Sequence, residues 1–411
     1  MAVYKDRIKL LIQNIMKKIL FFSCIAAALL SFVGCEETGN NGFEGTNYIY
    51  LESLGGNTTV WEQDETPLVV TVMLTSALSE DLNLTFAVEG TEGVLDIEGN
   101  PVTIKAGQKT ASFAIVSKNA DKVTSVENFK VVLDAATVLP DKVQLKEGFS
   151  FVVRSAAVSA LTDAQKAIIE AYKTATGIDL SKYLGVVDVS TVITGTDPDS
   201  GEPLDPQTVT GKTIITLSES ATAEIPVLKM IANPMGIQDY MYASLRAMTV
   251  ENEDWCDSEY YPDNTALMNA INWNAESQEV FSMSLDGVTF NADKTIDFLG
   301  TTMGYWGDDI TSVPFAYQFT AYERELIALQ DGSFEKDEYS YDATANPDYH
   351  LNIYDTSKEY AEDPESDFEG ENWIEPSAEV SETSMIFTFA IHVCYNDYDY
   401  TRFVATYTPN N

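Results

Sequence analysis

The sequence predicts a mainly β protein, with an N-terminal antiparallel β-sandwich followed by a larger, β-rich α+β domain. Three observations support this prediction. Apolar and polar residues alternate with a period of two through most of the chain after residue 46. Turn-forming glycine, proline and asparagine residues separate these runs. Apolar residues at helical spacing are confined to a few short segments, so helices are the minor component.

The chain opens with an apolar segment. Residues 16–35 read MKKILFFSCIAAALLSFVGC, in which two lysines precede a short apolar run. A membrane-spanning helix needs roughly 20 apolar residues, so this shorter run is typical of a signal peptide. The signal is complete from Met16 onward, and either Met1 or Met16 can therefore be the start of translation.

The end of this segment resembles a bacterial lipobox. Cys35 follows Val33 and Gly34, although Phe32 stands where leucine is usual. The resemblance implies that residues 1–35 are a lipoprotein signal peptide and that the acylated cysteine becomes the mature N-terminus. Because two or more acyl chains form a stable anchor, we expect the protein to be attached to a membrane. An uncleaved anchor or ordinary secretion is the alternative.

Residues 36–45 are expected to be a flexible tether. Glu36 and Glu37 follow the cysteine, and glycine and asparagine dominate the rest. Acidic residues in this position resemble the surface-export signal of Bacteroidota lipoproteins. The resemblance implies an outer-membrane lipoprotein exposed at the cell surface. The alternative is a solvated linker on a protein held in the periplasmic leaflet.

Residues 46–156 show the clearest strand pattern. Leu82, Leu84, Phe86 and Val88 alternate with more polar residues. Comparable runs occur at 68–74, 111–115, 129–133 and 149–153. Turn signals separate these short, half-buried strands, which predicts an antiparallel sandwich.

Three stretches of this domain carry a family resemblance. They are Val60-Trp61-Glu62, residues 104–113 and residues 127–133. Their order is similar to that of a Calx-β domain, an immunoglobulin-like sandwich. Some Calx-β domains bind calcium at one end of the sandwich, which implies a candidate calcium site here. Its oxygen ligands would come from Glu62, Asp64, Asp121 and Glu127. Calcium takes six to eight oxygens, and an acidic pair of the family pattern is missing before Glu127, which favours a solvated acidic loop.

Residues 157–411 form the second predicted domain, which begins with a helix. Thr162 and Gln165 make a capping box and Gly177 is a stop signal, so the pattern predicts a helix over 161–176. Strand alternation returns at 187–193, 213–217, 281–290 and 315–319, and a last hairpin pairs 387–393 with 403–407. Asp286-Gly287 predicts a tight hairpin. Helical spacing recurs at 237–250 and 264–273, and the acidic residues 355–383 predict a long exposed loop.

Short stretches of the second domain resemble uncharacterised Bacteroidota surface lipoproteins of similar length. The stretches are 214–219, 227–230, 233–236 and 406–408. That family has no assigned activity, so the resemblance implies a location and no chemistry.

Composition excludes several function classes. The chain has 24 Lys+Arg against 64 Asp+Glu and a formal net charge of −40, so nucleic acid is not expected as a partner. Only two histidines are present, and the sequence contains no nucleophile elbow, phosphate-binding glycine loop, HExxH or CxxC motif. We therefore expect no catalysis. The many carboxylates leave a glycoside hydrolase as a weaker alternative.

Two cysteines remain after removal of the signal peptide and acylation of Cys35. Cys256 and Cys394 can form a disulfide in an exported protein, or both can stay as free thiols. Their separation in the sequence does not decide between these alternatives.

Aromatic residues beside carboxylates mark the candidate ligand site. Trp255, Tyr260, Tyr261 and Trp306 lie in turn-like, acidic contexts. Flat rings stack on the C–H faces of sugars, and carboxylates accept hydrogen bonds from hydroxyl groups. The alternative is that these rings pack under loops as part of the core.

These observations predict a non-catalytic, surface-exposed envelope lipoprotein that uses its β domains for ligand binding or adhesion. The expected ligand is a glycan or a host-surface protein. No cofactor is expected beyond the candidate calcium ion. A structural or assembly component of the envelope, which would join partners through its sheet edges, is the alternative from another class.

Overall fold

The structure is a computed structural model that describes residues 45–53, 56–119, 122–124, 126–197, 201–277, 279–303, 309–336, 343–352, 370–391 and 399–410. The described residues form two compact units, one from Met1–Arg154 and Asn272–Val280 and the other from Ser155–Ile271 and Phe281–Asn411. Both are dominated by antiparallel strands, which confirms the predicted fold class. Several predicted features lie outside the described residues: the predicted signal peptide with Cys35, residues 36–44 of the predicted tether, Asp121, Trp306 and Cys394.

The first unit is a two-sheet sandwich. Its strands are β1 Asn47–Ser53, β2 Thr59–Trp61, β3 Leu68–Leu74, β4 Leu82–Leu84, β5 Phe86–Glu89, β6 Leu95–Glu98, β7 Val102–Ile104, β8 Thr110–Ser117, β9 Val126–Leu133, β10 Val143–Leu145 and β11 Phe149–Arg154. One sheet has the order β10-β1-β3-β8-β6 and the other β2-β11-β9-β5, while β4 and β7 form a separate pair. Every second residue of β3 is buried, as alternation predicts. The two sheets meet where Phe86 stacks on Phe113, with ring centroids 4.9 Å apart.

The second unit is built around one long antiparallel sheet. Its strands are β12 Gly185–Thr194, β13 Gln207–Leu217, β14 Val227–Ala232, β15 Phe281–Phe290, β16 Ile296–Asp297, β17 Gly300–Met303, β18 Asp309–Ser312, β19 Phe315–Phe319, β20 Ser377–Val380, β21 Met385–Ile391 and β22 Thr401–Thr408. The main order is β16-β15-β14-β13-β12-β22-β21-β20, with β19 also paired to β15 and a separate β17–β18 pair.

This sheet nearly closes into a barrel. A bridge between Thr295 and Glu379 joins the ends that carry β16 and β20. Next to it, the Val380 N–H donates to the Lys294 carbonyl at 3.0 Å. Closure satisfies backbone groups that an open sheet would leave unpaired at its two edges.

A short turn after β14 packs against the buried face of this sheet. We call residues 233–236 the Met235 turn. Asn233, Met235 and Gly236 all have positive φ, at 47°, 56° and 69°. A Cβ on Gly236 would lie 2.7 Å from Cγ1 of Val189, so only glycine fits this close approach.

Polar side chains of the barrel hold the Met235 turn in this costly backbone conformation. The Met235 N–H donates to the Tyr407 hydroxyl at 2.6 Å, and the Thr213 hydroxyl donates to the Asn233 carbonyl at 2.8 Å. The Thr191 hydroxyl donates to the Met235 carbonyl. Met235, Thr191, Thr213 and Tyr407 are each 0% exposed, so these bonds satisfy groups that water does not reach.

Four α-helices complete the described part of the second unit. They are α1 Asp163–Thr176, α2 Gln238–Met248, α3 Pro262–Ile271 and α4 Thr320–Asp331. The predicted capping box of α1 is present, and Gly177 ends the helix in the left-handed conformation. Among the helices that the structure describes, none has the length and apolar character needed to cross a bilayer.

Two local predictions were wrong. Asp286-Gly287 does not make a hairpin, because β15 runs through it, and the pairing with β14 shifts register between Leu228 and Met230 instead. Residues 377–380, predicted as exposed loop, form β20 and pair with β21. In both places, hydrogen bonding to a neighbouring strand decides the structure: β15 pairs with β14, and β20 pairs with β21. Local turn residues and charges do not reveal such pairing.

Candidate functional site

The most exposed of the predicted ring residues lie between α2 and α3. We call residues 251–261 the tyrosine loop. Tyr260 is 76% exposed and Tyr261 is 46% exposed. A tyrosine in the core stabilises the fold by burying its apolar ring. Tyr260 leaves most of its surface in water, and Tyr261 leaves nearly half. They are therefore available to a ligand.

Hydrogen bonds within the tyrosine loop fix the backbone that carries the two rings. The Asp257 carboxylate accepts from the N–H groups of Glu259, at 2.7 Å, and of Tyr260, at 3.2 Å. The Asp257 carbonyl accepts from the Tyr261 N–H at 2.7 Å. The rings are thus presented from an ordered turn that leads directly into α3.

Trp255 lies beneath the loop and does not present its ring to solvent. It is 5% exposed, and its carbonyl accepts from the Asn264 side-chain amide at 3.0 Å. Its indole makes an edge contact with His350, with ring centroids 6.4 Å apart. Of the two alternatives that the sequence left open for the Trp255 ring, the structure has the ring packed under the loop. Burying this large ring anchors the loop to the body of the unit.

A buried polar network continues below Trp255. His350 is 2% exposed, and its Nε2 lies 2.9 Å from the Thr344 carbonyl oxygen. Oε2 of Glu325 on α4 accepts from the Ala345 N–H at 2.6 Å and from the Thr344 hydroxyl at 3.2 Å. These contacts connect the helix to the anchor of the tyrosine loop through residues 344–350.

Burial sets the protonation of the carboxyl groups on α4. It raises the pKa of Glu325, while the hydrogen bonds from Ala345 and Thr344 and the charge of Lys336 oppose the shift. Burial also raises the pKa of Glu323 to about 7, against a smaller opposing effect of Arg324. Paired-acid hydrolysis needs two carboxyl groups facing a substrate. Oε2 of Glu325 faces Thr344 and Ala345 of the protein itself.

The sequence analysis missed the network of Glu325, Thr344 and His350. Glu325 sits in a helical segment that carries other charged residues, and nothing in its neighbourhood in sequence marks it as buried. Acidic side chains are rarely fully buried unless they are paired. This rule points to a partner for Glu325 only once its burial is known, and the sequence alone does not show that burial.

The candidate calcium ligands are placed as follows. Glu62 is 0% exposed, and its two carboxylate oxygens accept from the N–H groups of Lys122, at 2.7 Å, and Val123, at 3.0 Å. The Asp64 carboxylate accepts from the Thr66 N–H at 2.9 Å, and burial raises the pKa of this carboxyl to about 6. Glu127 accepts from the Thr91 hydroxyl. Within the described ranges, no group of three or more acidic, histidine or cysteine side chains is placed to hold a metal ion.

Cys256 carries a free thiol in the structure. Its Sγ lies 3.5 Å from the Thr249 carbonyl oxygen and 3.9 Å from Sδ of Met268. Burial raises the pKa of the thiol. The disulfide between Cys256 and Cys394 stays a prediction. The candidate partner of Cys256, Cys394, is outside the described residues.

Comparison with protein families finds two matches. Residues 159–408 match a domain of unknown function (DUF8472), and residues 43–157 match another domain of unknown function (DUF4929). A comparison with curated proteins finds no match.

Fifteen chains of solved structures also match. One is the cell-surface-expressed multi-modular chitinase ChiW from Paenibacillus sp. str. FPU-7, with 15% identity over 30% of this chain and 14% of that chain and a TM-score of 0.18. Another is the CsuC-CsuE chaperone-tip adhesion subunit complex of Acinetobacter baumannii, with 12% identity over 29% of this chain and 62% of that chain and a TM-score of 0.18. The periplasmic chaperone SfaE has 12% identity over 44% of this chain and 92% of that chain, with a TM-score of 0.19. The chain thus spans less than two thirds of the first two structures.

Proposed function

Since the chain belongs to the DUF8472 family of domains of unknown function, we propose its function from its own residues: a non-catalytic, lipid-anchored binding protein of the outer-membrane surface. We take its ligand to be a glycan, presented by a host or by another cell. The observation that carries the proposal is the pair of exposed tyrosine rings, Tyr260 and Tyr261, on a hydrogen-bonded loop. The first unit would serve as a Calx-β-like module in the same surface protein.

Tyrosine suits this role for physical reasons. Its ring offers a flat apolar face for the C–H groups of a pyranose, and its hydroxyl offers a polar tip. The side chain has few rotatable bonds, so little conformational entropy is lost when a ligand orders it. Because the Asp257 hydrogen bonds already fix the backbone at Glu259 and Tyr260, less of the binding free energy is spent on ordering the loop.

Substitution of the tyrosines tests the glycan proposal. Screening residues 46–411 on a broad glycan array should identify a ligand, and Tyr260→Ala or Tyr261→Ala should each weaken its binding roughly tenfold, as loss of one stacking contact predicts. Tyr50→Ala is the matched control, since Tyr50 is also an exposed tyrosine, at 37%, but lies on β1 of the other unit. An array without any bound glycan, or unchanged affinity in both loop variants, would refute the proposal.

The cell-surface location rests on the lipobox-like sequence that ends at Cys35. Cys35→Ala should move the full-length protein from the membrane fraction to the soluble fraction and abolish labelling by a fatty-acid analogue. Two or more acyl chains supply the anchor, so removal of their attachment site leaves no comparable attraction to the bilayer. Cys256→Ala, which changes the free thiol, is the control and should stay in the membrane fraction. Retention of the Cys35→Ala protein would contradict the lipid anchor.

The assembly role has less support. Strand addition needs an edge long enough to form several backbone hydrogen bonds. The edge strands of the two sandwich sheets are β10 and β2, with three residues each, and β6 and β5, with four residues each. Such short edges offer a partner strand few hydrogen bonds, which favours ligand binding through the tyrosine loop.

A further inference from the structure

The charge around the exposed tyrosines narrows the class of ligand. Residues 251–263 contain six carboxylates and no lysine or arginine. The six acidic residues are Glu251, Glu253, Asp254, Asp257, Glu259 and Asp263. Glu251 pairs with the Arg246 guanidinium at 2.7 Å, and Asp257 holds the loop backbone. Glu253, Asp254, Glu259 and Asp263 are exposed, so the segment that carries the two rings presents negative charge to solvent.

We infer that the tyrosine loop binds a glycan that carries protonated amino groups, such as an oligomer of glucosamine. The inference rests on the proposed function and names its ligand class. A tyrosine face attracts a cation through the quadrupole of the ring, and neighbouring carboxylates add an ionic attraction. The same carboxylates repel uronic, sialic and sulfated sugars, which makes the loop selective against acidic glycans.

The backbone of the loop favours a sugar over a basic peptide. An extended peptide docks largely through backbone hydrogen bonds. In the tyrosine loop the N–H groups of Glu259, Tyr260 and Tyr261 already donate to Asp257, so none of the three is open to a peptide carbonyl. The exposed tyrosine rings and carboxylates of the loop match the C–H face and the ammonium group of an amino sugar.

A comparison of matched oligosaccharides tests this inference. Binding of glucosamine hexamer, N-acetylglucosamine hexamer and an acidic galacturonate oligomer to residues 46–411 is measured by calorimetry at mildly acidic pH, where the amines are protonated. The glucosamine hexamer should bind roughly tenfold more tightly than its acetylated form, and the galacturonate oligomer should not bind. High salt should weaken the glucosamine complex far more than the acetylated one, because only the former contains charge pairs.

Variants separate the ring contribution from the charge contribution. Glu259→Gln should reduce the preference for the glucosamine hexamer over the acetylated hexamer about threefold or more, while Tyr260→Ala should weaken both complexes. Glu89→Gln removes the same charge from β5 of the other unit. This variant should change neither the preference for the glucosamine hexamer nor the affinity for either hexamer. Equal affinity for the two hexamers, with both lost in Tyr260→Ala, would overturn the inference and leave the glycan proposal standing. Failure of all three oligomers to bind would overturn the inference, and the glycan array then decides the glycan proposal separately. Preferential binding of an oligolysine probe would overturn both.

Discussion

Glu62→Ala should lower the free energy of unfolding of the first unit by about 3 kcal/mol. The substitution leaves the N–H groups of Lys122 and Val123 without their carboxylate acceptor in a region where Glu62 itself is fully buried. Each buried donor without a partner costs about 1–3 kcal/mol. The loss is measured by urea denaturation of residues 46–411, together with hydrogen exchange of the segment that contains Val123.

Two further variants define what this measurement means. Glu65→Ala changes an exposed acid three positions away and should alter stability by less than about 0.5 kcal/mol. Glu62→Gln keeps one oxygen acceptor but sets an amide group against the second donor. Its loss of stability should therefore lie between those of Glu62→Ala and Glu65→Ala. A Glu62→Ala protein as stable as the parent would show that the hydrogen bonds from Lys122 and Val123 do not stabilise the first unit.

Tyr407→Phe should destabilise the second unit by about 2 kcal/mol, although the change removes a single oxygen atom. The hydroxyl accepts from the Met235 N–H at 2.6 Å and lies 3.0 Å from the Thr213 hydroxyl oxygen. Without it, a buried N–H stays unsatisfied at a residue whose backbone is already in the left-handed region, with a φ of 56°. Urea denaturation gives the loss of stability.

Hydrogen exchange locates the effect of Tyr407→Phe. Peptides that contain the Met235 turn should exchange faster in this variant, whereas peptides from β3 and β8 of the other unit should be unchanged. Tyr261→Phe, which removes an exposed hydroxyl from the same unit, is the control and should leave both stability and exchange near those of the parent. Unchanged exchange at the Met235 turn would contradict the assignment of Tyr407 as its support.

Local sequence signals were sufficient for much of the fold. Alternation located strands such as β3 and β8 because one face of each strand is buried, and the capping box located α1 because its side chains satisfy the first backbone N–H groups. Helix α4 was missed because its apolar residues do not fall on one face. Leu326, Ile327 and Leu329 lie on the exposed side of the helix, so the sequence shows no simple apolar stripe. Barrel closure was missed because the bridge from Thr295 to Glu379 joins distant parts of the chain.

The candidate site was predictable only in part. The acidic, turn-like context of Tyr260 and Tyr261 indicated a surface loop, and both are exposed. The same context did not decide between an exposed and a packed ring at Trp255, which is buried although its neighbour Asp254 is exposed. Its contact with His350 and the role of Glu325 depend on residues far away in sequence, which local composition does not encode.

The place of β22 in the sheet sets an order of events during folding. This strand lies between β12 and β21, so the first and last strands of the second unit are direct neighbours. A polypeptide that emerges N-terminus first cannot complete the sheet until Thr401–Thr408 has arrived. Pairing over such a separation is slow, and the edges of β12 and β21 remain open to wrong partners meanwhile. The second unit is therefore exposed to misfolding until its final strand has paired.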